Sequence, residues 1–231
     1  MPARFHAAEL ATAAGDVFLD GAEAVHLARV LRAKVGDRVV LFDGAGTEAD
    51  AEVAAVGKRE AVLRLLDVRH FKRPKGLTLA VALPKGDRAE WLVEKATELG
   101  VGRIVPLHTS RQVAEPKNER LARAALEACK QCGRAWLPEI SAAAAWRDFA
   151  TAATDVRWLL HPVEGSRPAP GESPDVAAIG PEGGWTDEEL AIGVAAGWRI
   201  VSVPGTVWRI ETAALAVAAR AAWRTAERQE P

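Results

Sequence analysis

Cysteine occurs only at positions 129 and 132, too few for a disulfide framework. No apolar run is long enough to cross a bilayer. The opening residues, MPARFHAAEL, lack the basic start, apolar stretch and cleavage site of a secretory signal, so the expected location is cytoplasmic. Excess charge of one sign is missing as well. The net charge is −1, and neither side of Lys75 forms a basic domain. Any affinity for nucleic acid must therefore come from local patches. Phosphate cradles are absent too. There is no GxxxxGK[ST], and no GxGxxG opens a helix after the first strand of the second half. What is present suits a globular protein: 231 residues, 49% hydrophobic and 26% charged, enough for one large domain or two small ones.

The chain changes texture part-way along. RVVLFDG (38–44), TEADAEVAAVG (47–57) and EAVLRLLDV (60–68) read as strands at hairpin spacing, with Gly44, Gly46 and Gly57 in the turns. One helix precedes them. Asp20 and Glu23 have the form of a capping box, Val25, Leu27, Val30 and Leu31 follow, and Gly36 ends the segment. These elements predict a small barrel-like domain. RHFKRPKG (69–76) is basic, contains proline and marks a boundary. Beyond it, strands and helices alternate. LTLAVAL, RIVPL, DVRWLL, DVAAIG and RIVSV are apolar enough to be buried strands. DRAEWLVEKATELG, with Asp87 and Glu90 as a second capping box, NERLARAALEACKQCG, the segment capped by Thr186 and Glu189, and ETAALAVAARAAWRTAERQ read as helices. This order predicts an α/β fold, a parallel sheet with helices on both faces.

In such sheets ligands sit beyond the carboxyl ends of the strands. Three strand ends carry unusual loops: LLHP at His161, IGPEGG at 179–184, and VPGTVWRIET at 203–212. Each alone could be a turn; three together point to a shared site. IGPEGG has a proline where a phosphate loop wants a free amide. A nucleoside-type ligand held by main-chain groups and an apolar slot fits better than a polyphosphate.

IGPEGGWTDEEL together with WRIETAALAVAA closely resembles the RsmE family, SPOUT-class methyltransferases that modify N3 of a uridine in 16S (small-subunit) ribosomal RNA. HLARVLRAKVGDRVVLFDG, KGDRAEWLVEKATELGVGRIVPL and ACKQCGRAWLPEI extend the likeness over nearly the whole chain. The resemblance implies a PUA-like RNA-binding domain over 1–72 and a SPOUT methyltransferase domain with a C-terminal trefoil knot over 73–231. It also implies a homodimer and S-adenosylmethionine as methyl donor, with no metal. Leu160, His161, Gly180, Pro181, Glu182, Gly183, Gly184, Val203, Val207 and Trp208 would line the donor pocket. The family's last motif commonly reads L-G-x-R-I-L-R-[TA]-E-T-A. Here its first part is replaced, and Thr206 stands where an arginine is frequent.

Methyl transfer from a sulfonium is an in-line displacement, so positioning supplies much of the catalysis. Arg209 and Arg134 are candidate donors to charge on the uracil oxygens, and Glu211 is a candidate to orient the base or accept the N3 proton. The alternative for Arg209 and Glu211 is a charge pair at a helix N-terminus. Uridine N3 lies on the pairing edge, so the base must be unpaired or flipped. The first domain would then grip RNA. Arg29, Arg32, Lys34, Arg69, Lys72, Arg73 and Lys75 are candidates for phosphate contacts, with Arg4 beside them. Their alternative is a solvated surface. Cys129-x-x-Cys132 has zinc spacing without a second ligand pair. Trp91 and Trp158 are expected in the core, and Trp208 at the ligand loop. Two rivals stand beside the methyltransferase: a nucleotide-dependent α/β enzyme such as a dehydrogenase, and an RNA-binding or ribosome-assembly protein of the same fold without activity.

Overall fold

A computed structural model describes residues 2–13, 15–112, 117–152, 156–162, 167–202 and 206–227. The chain divides into two compact units, Met1–Arg73 with Leu126–Leu137, and Pro74–Ala125 with Pro138–Pro231.

The first unit is built on one sheet: β1 (Arg4–His6), β2 (Asp16–Asp20), β3 (Arg38–Phe42), β4 (Thr47–Val56) and β5 (Glu60–His70), in the order β1-β3-β4-β5-β2. β3, β4 and β5 form an antiparallel meander, and β1 lies parallel to β3. Two register shifts between β4 and β5 add local twist. Alternate residues of β2 and β4 are buried, the period-2 pattern of a sheet with one covered face. Val17, Leu19, Ala51, Val53 and Leu63 meet Phe5, Leu10 and Leu27 in the core. The β3–β4 turn has a local cause. Asp43 Oδ1 accepts from the amides of Ala45 and Thr47 at 2.7 and 2.9 Å. Gly46 has φ +101°, and a Cβ there would lie 2.4 Å from the Trp136 ring.

The first helix differs from expectation. α1 (Gly21–Val25) passes into a π-helical turn, His26–Val30, and the chain leaves it well before Gly36. Arg32 has φ +53°, a left-handed conformation that ends the helix. Asp20 makes no side-chain cap bond. Glu23 instead accepts from the His6 amide and pairs with the nearly buried Lys130. That buried cation outcompetes a local cap.

The second unit is a parallel sheet. Its strands are β6 (Thr78–Val81), β7 (Arg103–His108), β8 (Glu139–Ile140), β9 (Ala144–Ala145), β10 (Arg157–Leu160), β11 (Val176–Ile179) and β12 (Arg199–Val201). The order is β12-β10-β11-β6-β7-β8, with β9 also on β7. Its helices are α2 (Asp87–Glu98), α4 (Trp146–Ala152), α5 (Asp187–Ala195), α6 (Ile210–Glu227) and the first part of α3 (Asn118–Cys132), whose residues from Leu126 on count with the first unit. One face packs Leu92, Val93 and Ala96 of α2 against Ala214, Val217 and Ala218 of α6. The other gathers Trp146, Trp185 and Trp198 with Val105 and Leu159. Burying one such aliphatic side chain contributes roughly 1.5–3 kcal/mol. Trp158 is buried as expected, whereas Trp91 is exposed. Trp91 falls on the side of α2 opposite Ala89, Leu92, Val93 and Ala96. The capping box expected at Asp87 and Glu90 is absent. Gly86 is the N-cap at φ +65°, which puts Asp87 inside the helix, and both carboxylates pair with Arg120.

Candidate active site

Three features at the carboxyl end of the second unit's sheet enclose a cavity of about 810 Å³. That is the size of a small-molecule site. Leu160 to Pro162 continue from β10, Gly180 to Trp185 continue from β11, and Thr206 to Arg209 lead into α6. Arg88, in the first turn of α2, completes the wall.

The loop after β11 is fixed residue by residue. The Gly184 amide donates to the Pro181 carbonyl at 2.8 Å, closing a tight turn, and Gly184 has φ +71°. A Cβ on Gly180 would lie 2.8 Å from the Trp185 indole. Trp185 is buried, and its Nε1 donates to the Leu160 carbonyl at 3.0 Å, which joins this loop to the end of β10. The next residue starts α5 with a full capping box. Glu189 donates its amide to Thr186 Oγ1, and its carboxylate accepts from the Thr186 amide at 2.8 Å. The other Glu189 oxygen accepts from the Ser110 amide at 2.8 Å, so one buried carboxylate holds two segments.

Two arginines that sequence reasoning left unassigned grip the same loop. Arg111 Nη1 donates to the Gly183 carbonyl at 2.8 Å. Arg88 Nη2 donates to Glu182 Oε1 at 2.8 Å, and its Nη1 lies 3.6 Å from Glu211 Oε1. These carboxylates, Glu182 first, raise the Arg88 pKa above its ordinary value. Arg111 follows the end of β7, so strand-end logic could have found it. Arg88 carried no local signal, since its partners lie far along the chain.

The expected lining residues Leu160, His161, Gly180, Pro181, Glu182, Gly183, Gly184, Val207 and Trp208 all border the cavity; Val203 lies outside the described residues. The His161 amide donates to Val201, while its Nδ1 is buried with no protein partner among the described residues. Burial pushes the imidazole below its ordinary pKa, against a smaller opposing effect of Asp187. Arg209 is exposed in the wall and makes no ion pair among the described residues. Glu211 is buried and pairs with Arg88, not Arg209, and its Oε2 has no partner among the described residues. Glu211 does not itself line the cavity.

Residues 72–222 match the RNA methyltransferase domain family, and residues 19–66 match the RNA methyltransferase PUA domain. The ribosomal RNA small subunit methyltransferase E of Synechocystis is 34% identical over 85% of this chain and 69% of its own length. This chain belongs to that RNA methyltransferase family. The Rickettsia conorii enzyme of the same name is 31% identical over 83% of this chain and 82% of its own length. The crystal structure of the Neisseria gonorrhoeae enzyme, bound to S-adenosyl methionine, superposes with a TM-score of 0.85 at 27% identity, covering 95% of this chain and 96% of that one.

Within this methyltransferase fold the remaining candidates separate. Arg134 belongs to the first unit, half-buried after α3, and is not in the cavity wall. Its carbonyl accepts from Arg4 Nη2 at 3.3 Å. Arg4 is itself committed: its Nη1 bonds Glu48 at 2.6 Å and its guanidinium covers the Phe42 ring at 5.0 Å. Arg69 bonds Asp50 and Glu48 at 2.9 to 3.0 Å and also pairs with Asp67, so three carboxylates occupy its donors. Arg29, Arg32, Lys34 and Lys72 are exposed. Arg73 is exposed and stacks over Trp136 at 5.6 Å, and Lys75 pairs with Asp175 at 3.3 Å. Cys129 is buried with its thiol directed to the Trp136 carbonyl at 3.6 Å. Burial pushes that thiol up to about 11. Among the described residues no helix is long and apolar enough to cross a membrane, and no three potential metal ligands converge.

Proposed function

We propose that this chain methylates N3 of a uridine in 16S ribosomal RNA with S-adenosylmethionine as donor, working as a homodimer with a knotted C-terminal segment. One observation carries the proposal. The cavity at the ends of β10 and β11 is built from the same loop and helix start that carry the family likeness, and a relative of like fold is bound to S-adenosyl methionine. The residues present suit that donor. Gly180 lets the main chain pass close against the Trp185 indole at the cavity wall, and His161 offers a buried nitrogen with no protein partner among the described residues. Val207 and Trp208 supply apolar surface.

Leu160, His161, the loop from Gly180 to Gly184, Val207 and Trp208 would hold the donor; Val203, outside the described residues, stays a sequence-based candidate. When bound, it supplies an electrophilic methyl carbon on a sulfonium. The chain's task is alignment. These residues would hold the donor so that uracil N3, having given its proton to water or a base, could approach the methyl carbon in line. Arg209, exposed in the wall, is the proposed donor to negative charge on the uracil oxygens. Glu211, paired with Arg88, orients this corner of the site. Arg134 remains a sequence-based candidate donor. Exposed Arg29, Arg32, Lys34, Lys72 and Arg73 are the proposed phosphate contacts. Arg4 and Arg69, bound to carboxylates, would instead brace the surface that carries them.

The deciding experiment is mass spectrometry of small-subunit RNA from a deletion strain, before and after the protein is restored. Loss and return of one methyluridine supports the activity; an unchanged RNA rejects it.

A further inference from the structure

We propose that Arg88 is a positioning residue that sets the turn after β11 against the start of α6, acting on the donor through Glu182 and Glu211. The proposal rests on the S-adenosylmethionine assignment above.

Arg88 stands where a cation gains nothing locally. It occupies the first turn of α2, the positive end of the helix dipole. Its rewards are distant in sequence. One guanidinium reaches Glu182, in the turn after β11, and Glu211, in the first turn of α6. A planar fork can serve two carboxylates at once, which an ammonium does poorly. Both partners need it for placement. Glu182 Oε1 has its ion pair in Arg88, whereas Arg111 holds the same turn only by its main chain, at the Gly183 carbonyl. Glu211 is buried with one oxygen near Arg88 and the other without a partner among the described residues. Removing Arg88 would leave that buried carboxylate uncompensated, next to Ile210 and Arg209 in the wall. The exposed Arg88–Glu182 half is a poor stability device, so its effect belongs in placement of the loop.

The test is calorimetric binding of S-adenosylmethionine to the full chain and to R88M, R88K, E182Q and R88M/E182Q. R88M is expected to bind about tenfold more weakly, and R88K to recover part of the loss. E182Q removes one arm of an exposed pair and keeps the fold. It is expected to weaken binding by severalfold, and the double variant to be no weaker than R88M. An R88M protein that binds within twofold of the parent overturns the proposal. So does a double variant whose loss is the product of the two single losses, or an R88K no better than R88M. A parent chain that binds no S-adenosylmethionine overturns the donor assignment itself, and this proposal with it.

Discussion

Gly180→Ala adds one methyl group at the most crowded point of the cavity. Gly180 has no positive φ, so the backbone tolerates alanine and the cost is purely steric. The new Cβ would lie 2.8 Å from Cε2 and Nε1 of Trp185. Trp185 cannot swing away freely. It is buried, its ring lies 4.7 Å from that of Trp146, and its Nε1 donates to Leu160. Overpacking costs about 1–3 kcal/mol, and losing the hydrogen bond adds roughly 0.5–1.5 kcal/mol. A total near 2–4 kcal/mol corresponds to a fall in Tm of about 5–15 °C for a unit of this size. Scanning calorimetry reads the stability, and titration with S-adenosylmethionine reads the cavity wall, with affinity expected to drop at least tenfold. Trp185→Phe supplies the control. It removes the hydrogen bond but shrinks the ring, so G180A/W185F is expected to be more stable than the sum of the single losses implies. A G180A protein with unchanged Tm and unchanged binding would refute the steric reasoning.

Thr186→Ala removes the α5 cap and is expected to lower Tm by about 2–4 °C, from a loss of about 1 kcal/mol. His161 titrates below its ordinary value of 6.5 because it is buried, so below about that pH the unfolded chain binds a proton that the folded protein resists. Stability is therefore expected to fall as pH drops from 7 to 5, and less steeply in H161Q; denaturant midpoints across that range check it. With the Cys129 thiol pushed up to about 11, a thiol reagent at pH 8 is expected to modify Cys132 and spare Cys129. Mass analysis of the labelled parent and of C132S, which should stay unlabelled, decides it.

Elements with a strong local period were legible. β4 alternates buried and less buried residues along its length, and β6, β7, β10 and β11 read as continuous apolar runs. The short β8 and β9 and the seven-residue α4 carry too few residues for a period to emerge. The three capping boxes show where local reasoning stops. Thr186 has an extended backbone and caps α5. Asp20 is also extended, yet its expected partner Glu23 is taken by Lys130, more than a hundred residues away. Asp87 fails because Gly86 holds the N-cap position instead. The loops at the ends of β10 and β11 and the segment leading into α6 border one cavity, because parallel sheets place such loops together.

Arginine types alone suggested phosphate contacts at Arg4 and Arg69; the fold gives both of them carboxylate partners, which the sequence did not reveal. Arg88 drew no attention until folding brought Glu182 and Glu211 to its side. The amino-acid order by itself determined the β-rich first part, the alternating second part and the loops that meet at the cavity, since hydrophobic period and turn chemistry act between near neighbours. Only the tertiary structure decided which charges border the cavity and which face each other. A guanidinium binds whichever carboxylate the fold delivers, and that delivery depends on contacts among residues far apart in the chain.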